Sequence, residues 1–117
     1  MAYIDGFVIA APTADKAKFI DHAERMDKFF LEFGALRVVE GWADDVPDGS
    51  VTDFKRAVKA KVDETVLYGW VEWVSKDARN KAWTRLMADP RMQPDANPMP
   101  FDGKRIIFGG FEVIVEA

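Results

Sequence analysis

The sequence predicts an α+β protein of the ferredoxin-like type, β-α-β-β-α-β, with both helices on one face of a four-stranded antiparallel sheet. Three features carry that expectation: strand-like runs near both ends of the chain, two more in its middle, and apolar residues at helical spacing in the two stretches that separate them. Its 117 residues suit a single domain over 1–117.

The first strand is Tyr3 to Ala10, bounded by Pro12; Tyr3, Asp5, Phe7 and Ile9 alternate with Ile4, Gly6, Val8 and Ala10. Thr13 is placed to cap the next helix, where Phe19, Ala23, Met26, Phe30 and Phe33 draw one apolar stripe that Gly34 ends. Leu36 to Trp42 reads as the second strand, and Thr65 to Val74, rich in Val and aromatic residues, as the third. Ser75 caps a second helix from Lys76 to about Ala88, whose Ala78, Ala82, Trp83 and Leu86 give it a buried side. "DPRMQPDANPMP" holds too many prolines for a helix, and Pro90 stops the helical ladder, leaving Asp89 and Arg91 to pair or to lock the link. Ile106 to Val115 closes the sheet, and Gly109–Gly110 inside it is expected to mark a bulge or the close approach of another backbone.

Alternation then sorts side chains by face. Tyr3, Asp5, Phe7 and Ile9 are expected to share the helix-free face with Leu36, Val38, Glu40 and Trp42, with Tyr68, Trp70 and Glu72, and with Phe108, Gly110, Glu112 and Ile114. The opposite set, Ile4, Gly6, Val8, Leu67, Gly69, Val71, Phe111 and Val113, has no charge and suits the helices. A helix-free face carrying one acid per strand among large apolar groups exceeds what a monomer ordinarily leaves in water, so a second copy is the expected cover.

Composition excludes several functions. Sixteen Lys and Arg against 20 Asp and Glu give a net charge of −4, which offers nucleic acid no long-range attraction. The absence of cysteine removes disulfides, thiolate nucleophiles and Cys-ligated metal centres. The one histidine, His22, sits at the edge of the first helix's stripe, so histidine-rich metal sites are excluded too, and no cofactor is expected. No basic n-region or 18-residue apolar run occurs, which predicts a cytoplasmic protein without a membrane span.

The connection from Ala43 to Glu64 is long for neighbouring strands. Phe54, Ala57, Val58 and Lys61 suggest a short helix, and Lys55, Arg56, Lys59 and Lys61 form a basic cluster among acids. Its length predicts a flap over a cavity or an arm reaching a second copy.

The chain as a whole resembles the YbaA-like family of bacterial proteins of unknown function, in "YIDGFVIAAPTADKAKF", "GALRVVEGWADDVPDGSVTDFKRAVKAKVDETVLYGWVEW", "ADPRM" and "MPFDGKRIIFGGFEVIV". The resemblance implies a dimeric α/β barrel in which two ferredoxin-like sheets face each other. It brings no established activity, since proteins of that architecture include cofactor-independent oxygenases, isomerases and plain binding modules.

Candidate chemistry therefore rests on residue type. Crowded carboxylates raise one another's proton affinity and supply an acid and a base, so Asp5, Glu40, Glu72 and Glu112 are the polar set of interest; the competing expectation is that each meets an Arg or Lys. The expected function is homodimeric binding of a small organic molecule, lined by Tyr3, Asp5, Glu40, Trp42, Tyr68, Trp70 and Glu72. The enzymatic alternative, an oxygenase or isomerase without cofactor, makes Asp5 or Glu72 the base, Arg56 or Lys59 the oxyanion partner and Tyr68 a hydrogen-bond donor. A third expectation is a dimer with no ligand at all.

Overall fold

A computed structural model describes residues 2–117. Its elements run β1 (Tyr3–Pro12), α1 (Lys16–Glu32), β2 (Arg37–Trp42), α2 (Phe54–Ala57), β3 (Glu64–Trp73), α3 (Lys76–Ala88) and β4 (Ile107–Glu112), with 3-10 turns at Thr13–Asp15 and Pro90–Met92. The strands lie in the order β2-β3-β1-β4, all neighbours antiparallel. This is the ferredoxin-like arrangement, with α2 added inside the long connection.

Local signals explain most boundaries. Ser75 caps α3 as expected, its Oγ accepting from the Ala78 N–H at 3.1 Å. Gly34 follows α1 at φ +115°, a conformation L side chains rarely adopt. Thr13 does not cap α1; its hydroxyl lies 2.7 Å from that of Thr65 and ties the end of β1 to the start of β3. The Gly109–Gly110 bulge is also absent, because the pairing of β1 with β4 is unbroken from Val8–Ile107 to Tyr3–Glu112. Gly110 is required by a ring instead: a Cβ there would stand 2.2 Å from Tyr3 Oη.

The register decides which face the helices cover. Asp5 stands opposite Val71 and Gly110, and Glu40 opposite Gly69, so Tyr3, Asp5, Phe7 and Ile9 share a face with Val38, Glu40 and Trp42 and with Leu67, Val71 and Trp73. Phe30, Ala82 and Leu86 pack on Val71 and Trp73, while Phe19 and Ala23 pack on Ile9 and Leu67. The helices therefore cover the face that carries Asp5 and Glu40, the reverse of the expectation for β1, β2 and β4. Only β3 is oriented as expected, with Tyr68, Trp70 and Glu72 on the helix-free face.

Acids tolerate the helix side because the helices bring partners. Asp5, 6% exposed, accepts hydrogen bonds from Trp73 Nε1 at 2.9 Å, Trp83 Nε1 at 3.1 Å, and Arg79 Nε and Nη2 at 3.1 and 2.8 Å. Glu40 lies beside the Asp27 carboxyl of α1, and burial together with that neighbour raises its proton affinity. At the far ends of the helices Arg91 joins Asp89 to Glu32, which fixes the proline-rich link as expected, and its guanidinium lies 4.7 Å over Phe29.

The helix-free face is covered only in part. The long connection folds back over it, and Val58, 1% exposed, packs on Val8, Ala10 and Val66. Arg105 holds this flap through Glu64 at 2.7 and 2.6 Å and the Lys59 carbonyl at 2.9 Å. The rest of the face is bare. The molecule is a slab of 38 × 38 × 20 Å with 7793 Å² of surface, against about 6,400 Å² for a compact monomer of this length.

Replacing Asp5 by Ala strands Arg79 and two indole N–H groups in the core, and is expected to cost about 3–5 kcal/mol in urea unfolding. A loss below about 1 kcal/mol would mean that the cluster is not holding helix α3 to the sheet.

Candidate functional site

The bare part of the helix-free face forms a trough of about 800 Å³. Ile4, Gly6 and Val8 of β1, Ile107, Gly109 and Phe111 of β4, and Tyr68, Trp70 and Glu72 of β3 line it, with Leu36 and Val113 at its ends. Its walls are mostly apolar, with Glu72 and Glu116 among them. The wall carboxylate belonging to the sheet is Glu72, whose Oε2 accepts from Trp70 Nε1 at 2.9 Å and lies 3.8 Å from Arg37 Nη1. No partner meets Oε1 among the described residues. An indole that fixes one oxygen and leaves the other without a partner is an arrangement for accepting a ligand's hydrogen bond or proton.

Among the sequence-predicted site residues, Tyr68, Trp70 and Glu72 meet in the trough, and Tyr3 contributes to its rim. Asp5 and Glu40 do not, because they point into the helix layer. Both oxygens of Asp5 are already saturated, which removes it as a base for anything bound in the trough. Trp42 faces the helices as well, packed against Phe19 with ring centroids 6.5 Å apart, and reaches only the edge of a smaller cavity. Glu112 is exposed beyond the helices at the end of β4. Arg56 folds into its own loop: its Nε donates to Asp53 at 3.0 Å, Nη1 to the Val51 carbonyl at 3.1 Å, and Nη2 to the Gly49 carbonyl. The backbone N–H of Arg56, its guanidinium and the backbone N–H of Gly49 hold Asp53 down to about 2. Lys59 stands at φ +51° and uses its carbonyl for Arg105; neither it nor Arg56 lines a cavity. His22 is more deeply placed than a helix boundary, edge-on to Phe101 at 5.7 Å, and burial lowers its proton affinity.

Two residues absent from the expected set shape the chemistry. Arg37 neutralises one side of Glu72, and Asp27 converts Glu40 into a proton-sharing acid. Burial, with the adjoining Asp27 carboxyl, pushes Glu40 up to about 9, so Glu40 is the protonated partner at neutral pH.

A second cavity of about 270 Å³ lies between the flap and the sheet, with Tyr68 and Trp70 as its common wall with the trough.

The fold and this open-faced site define the chain as a ferredoxin-like α+β protein. It is similar in fold to SnoaB, a cofactor-independent oxygenase from Streptomyces nogalater, with a TM-score of 0.57 and 18% identity over 98% of this chain and 93% of that one. It is similar also to a dimeric ferredoxin-like protein from an uncultured marine organism, with a TM-score of 0.58 and 12% identity over the full length of both. The chain belongs to the family described as protein of unknown function (DUF1428), whose model matches residues 2–103. Among its relatives, the uncharacterized protein YbaA of Escherichia coli K12 and that of Shigella flexneri are each 52% identical over 116 residues, 99% of both chains.

The Glu40–Asp27 pair gives stability a defined pH dependence. Glu40 holds a proton in the folded state up to about 9 and loses it near the usual carboxyl range when unfolded, so between those limits the folded state binds more protons. Its contribution is complete below the unfolded value and lost as pH rises towards 9. Thermal melts of Glu40→Gln from pH 5 to 9 should fall less steeply with pH than those of the wild type; parallel curves would overturn the assignment.

Proposed function

We propose that the protein acts as a homodimer that encloses a small, largely apolar organic molecule between two helix-free sheet faces, with Glu72 as the polar anchor. The observation that carries this reading is the trough itself: about 800 Å³ of mostly apolar wall around Glu72, a carboxylate oriented by an indole, with Glu116 also in the lining. That volume lies within the range of small-molecule sites. Dimerisation is supported by the excess surface and by what is exposed around the trough. On the helix-free face Phe111 is 57% exposed, Tyr68 49% and Ile107 45%, apolar groups for which a second copy is the simplest cover. The fold neighbour described as dimeric agrees with it.

The unengaged Oε1 of Glu72 favours one further reading, an enzyme in which this oxygen takes a proton from a phenolic or carbonyl substrate. Tyr68 would hydrogen-bond the resulting oxyanion and Arg37 would offset its charge, in place of Arg56 and Lys59. SnoaB supports this by fold alone.

Light scattering at micromolar protein should give the mass of a dimer, and Phe111→Glu, which places a charge on the bare face, should shift it to the monomer. A monomeric wild type would sink the enclosed site. A small-metabolite screen on the dimer should return apolar ligands whose affinity falls about tenfold in Glu72→Gln and several-fold in Tyr68→Phe. Unchanged affinity in both variants would remove these residues from the site, and an empty screen with an intact dimer would leave a purely structural pairing.

A further inference from the structure

We infer that the segment after β4, from Ile114 onward, is an arm that crosses to the second copy, lies along the free edge of its β2 and supplies part of the wall of its trough. This deepens the dimer proposed above and rests on it.

The segment is suited to a sheet that its own chain does not provide. Val113, Ile114 and Val115 continue the strand-forming run of β4, but β1 begins at Tyr3, opposite Glu112, so the arm runs past the start of its neighbour. The Val113 N–H reaches the Ala2 carbonyl at 3.2 Å, and beyond it no backbone hydrogen bond forms among the described residues. Ile114 is 84% exposed and Val115 77%. Glu116 stands in the lining of the trough, so the arm turns towards the helix-free side, where the second copy lies.

The register selects the landing place. Arg37, Glu72, Ile4 and Phe111 form one row across the sheet, from the free edge of β2 to that of β4. Two sheets placed face to face about a twofold axis parallel to the strands set the β4 edge of each copy over the β2 edge of the other, at the same level in that row. Since β2 runs in the direction of β1 and β4 against it, those edges meet antiparallel. A twofold axis across the strands would instead stack β4 on β4 with the two arms pointing apart, both still in water. Facing sheets pack about 10 Å apart and an extended chain rises about 3.3 Å per residue, so four residues span the gap.

The receiving edge is complementary. Leu36, 62% exposed, lies beside it at the end of the trough, and Arg37 is largely exposed, held only by a 3.8 Å contact with Glu72. Ile114 and Val115 match Leu36 of the second copy, and Glu116 matches its Arg37. Symmetry repeats the contact, so two arms close both seams at this end of the barrel. Each trough is incomplete without the arm of the other chain.

The chain contains no cysteine, so cross-linking has no background. Chains carrying Val115→Cys and chains carrying Leu36→Cys, co-expressed under different tags and treated with a short bismaleimide, should give a covalent pair of unlike chains. Met87→Cys, exposed on α3, in place of Leu36→Cys is the control and should give none. Independently, the double change Ile114→Ser, Val115→Ser should raise the dimer dissociation constant about tenfold or more, because both side chains are already exposed within one chain and their loss leaves its core intact. A wild type that is monomeric by light scattering sinks the enclosed site and the arm together. A wild-type dimer that yields no unlike-chain product beyond the control, or whose dissociation the double change leaves unaltered, overturns the arm alone.

Discussion

The buried carboxylate of Asp5 organises this fold. An ionised acid inside a helix–sheet interface is strongly unfavourable unless its oxygens are filled with donors, and here Arg79, Trp73 and Trp83 fill them from two other elements. The geometry of that cluster sets which way β1 presents its side chains to α3, and the antiparallel register then transmits the choice to β3 and β4. Once Asp5 is turned inward, Ile4, Gly6 and Val8 must turn outward.

That orientation creates the bare sheet face and its trough. The face left to solvent or to a partner carries Glu72 and Arg37, with Glu64 held beneath the flap, set against Ile4, Val8, Val39, Ile107 and Phe111. The long connection divides this face. Val58 seals the end near Val8 and Val66, held by the Arg105–Glu64 pair, and the other end remains a trough. A flap that covers part of its own sheet is consistent with an architecture in which a second sheet closes the remainder, and it leaves Tyr68 and Trp70 as a partition between two cavities.

The residues that reversed the face assignment were visible in the sequence. Arg79 lies on the same helical stripe as Ala82, Trp83 and Leu86, and Asp27 falls four residues after Ala23 and three before Phe30. A charged residue on a buried stripe requires a partner on the sheet, and Asp5 and Glu40 are those partners. Counting charges on the sheet alone sent the acids outward; counting them together with the helix stripes sends them inward. The same reasoning would not have found Arg37 or the flap's fold-back, because both depend on which strand lies beside which.

The sequence alone determined the order of elements, the antiparallel sheet with helices on one side, the cap at Ser75 and the stop at Gly34, since these follow from periodicity and turn chemistry. It also placed Tyr68, Trp70 and Glu72 on the helix-free face. Only the tertiary structure decided which parity of β1, β2 and β4 faces the helices, that Asp5 and Glu40 are core groups, and that Arg56 serves its own loop. The physical reason is that alternation specifies two faces and is symmetric between them. The symmetry is broken only when a particular Arg79 reaches a particular Asp5 across 74 residues of chain.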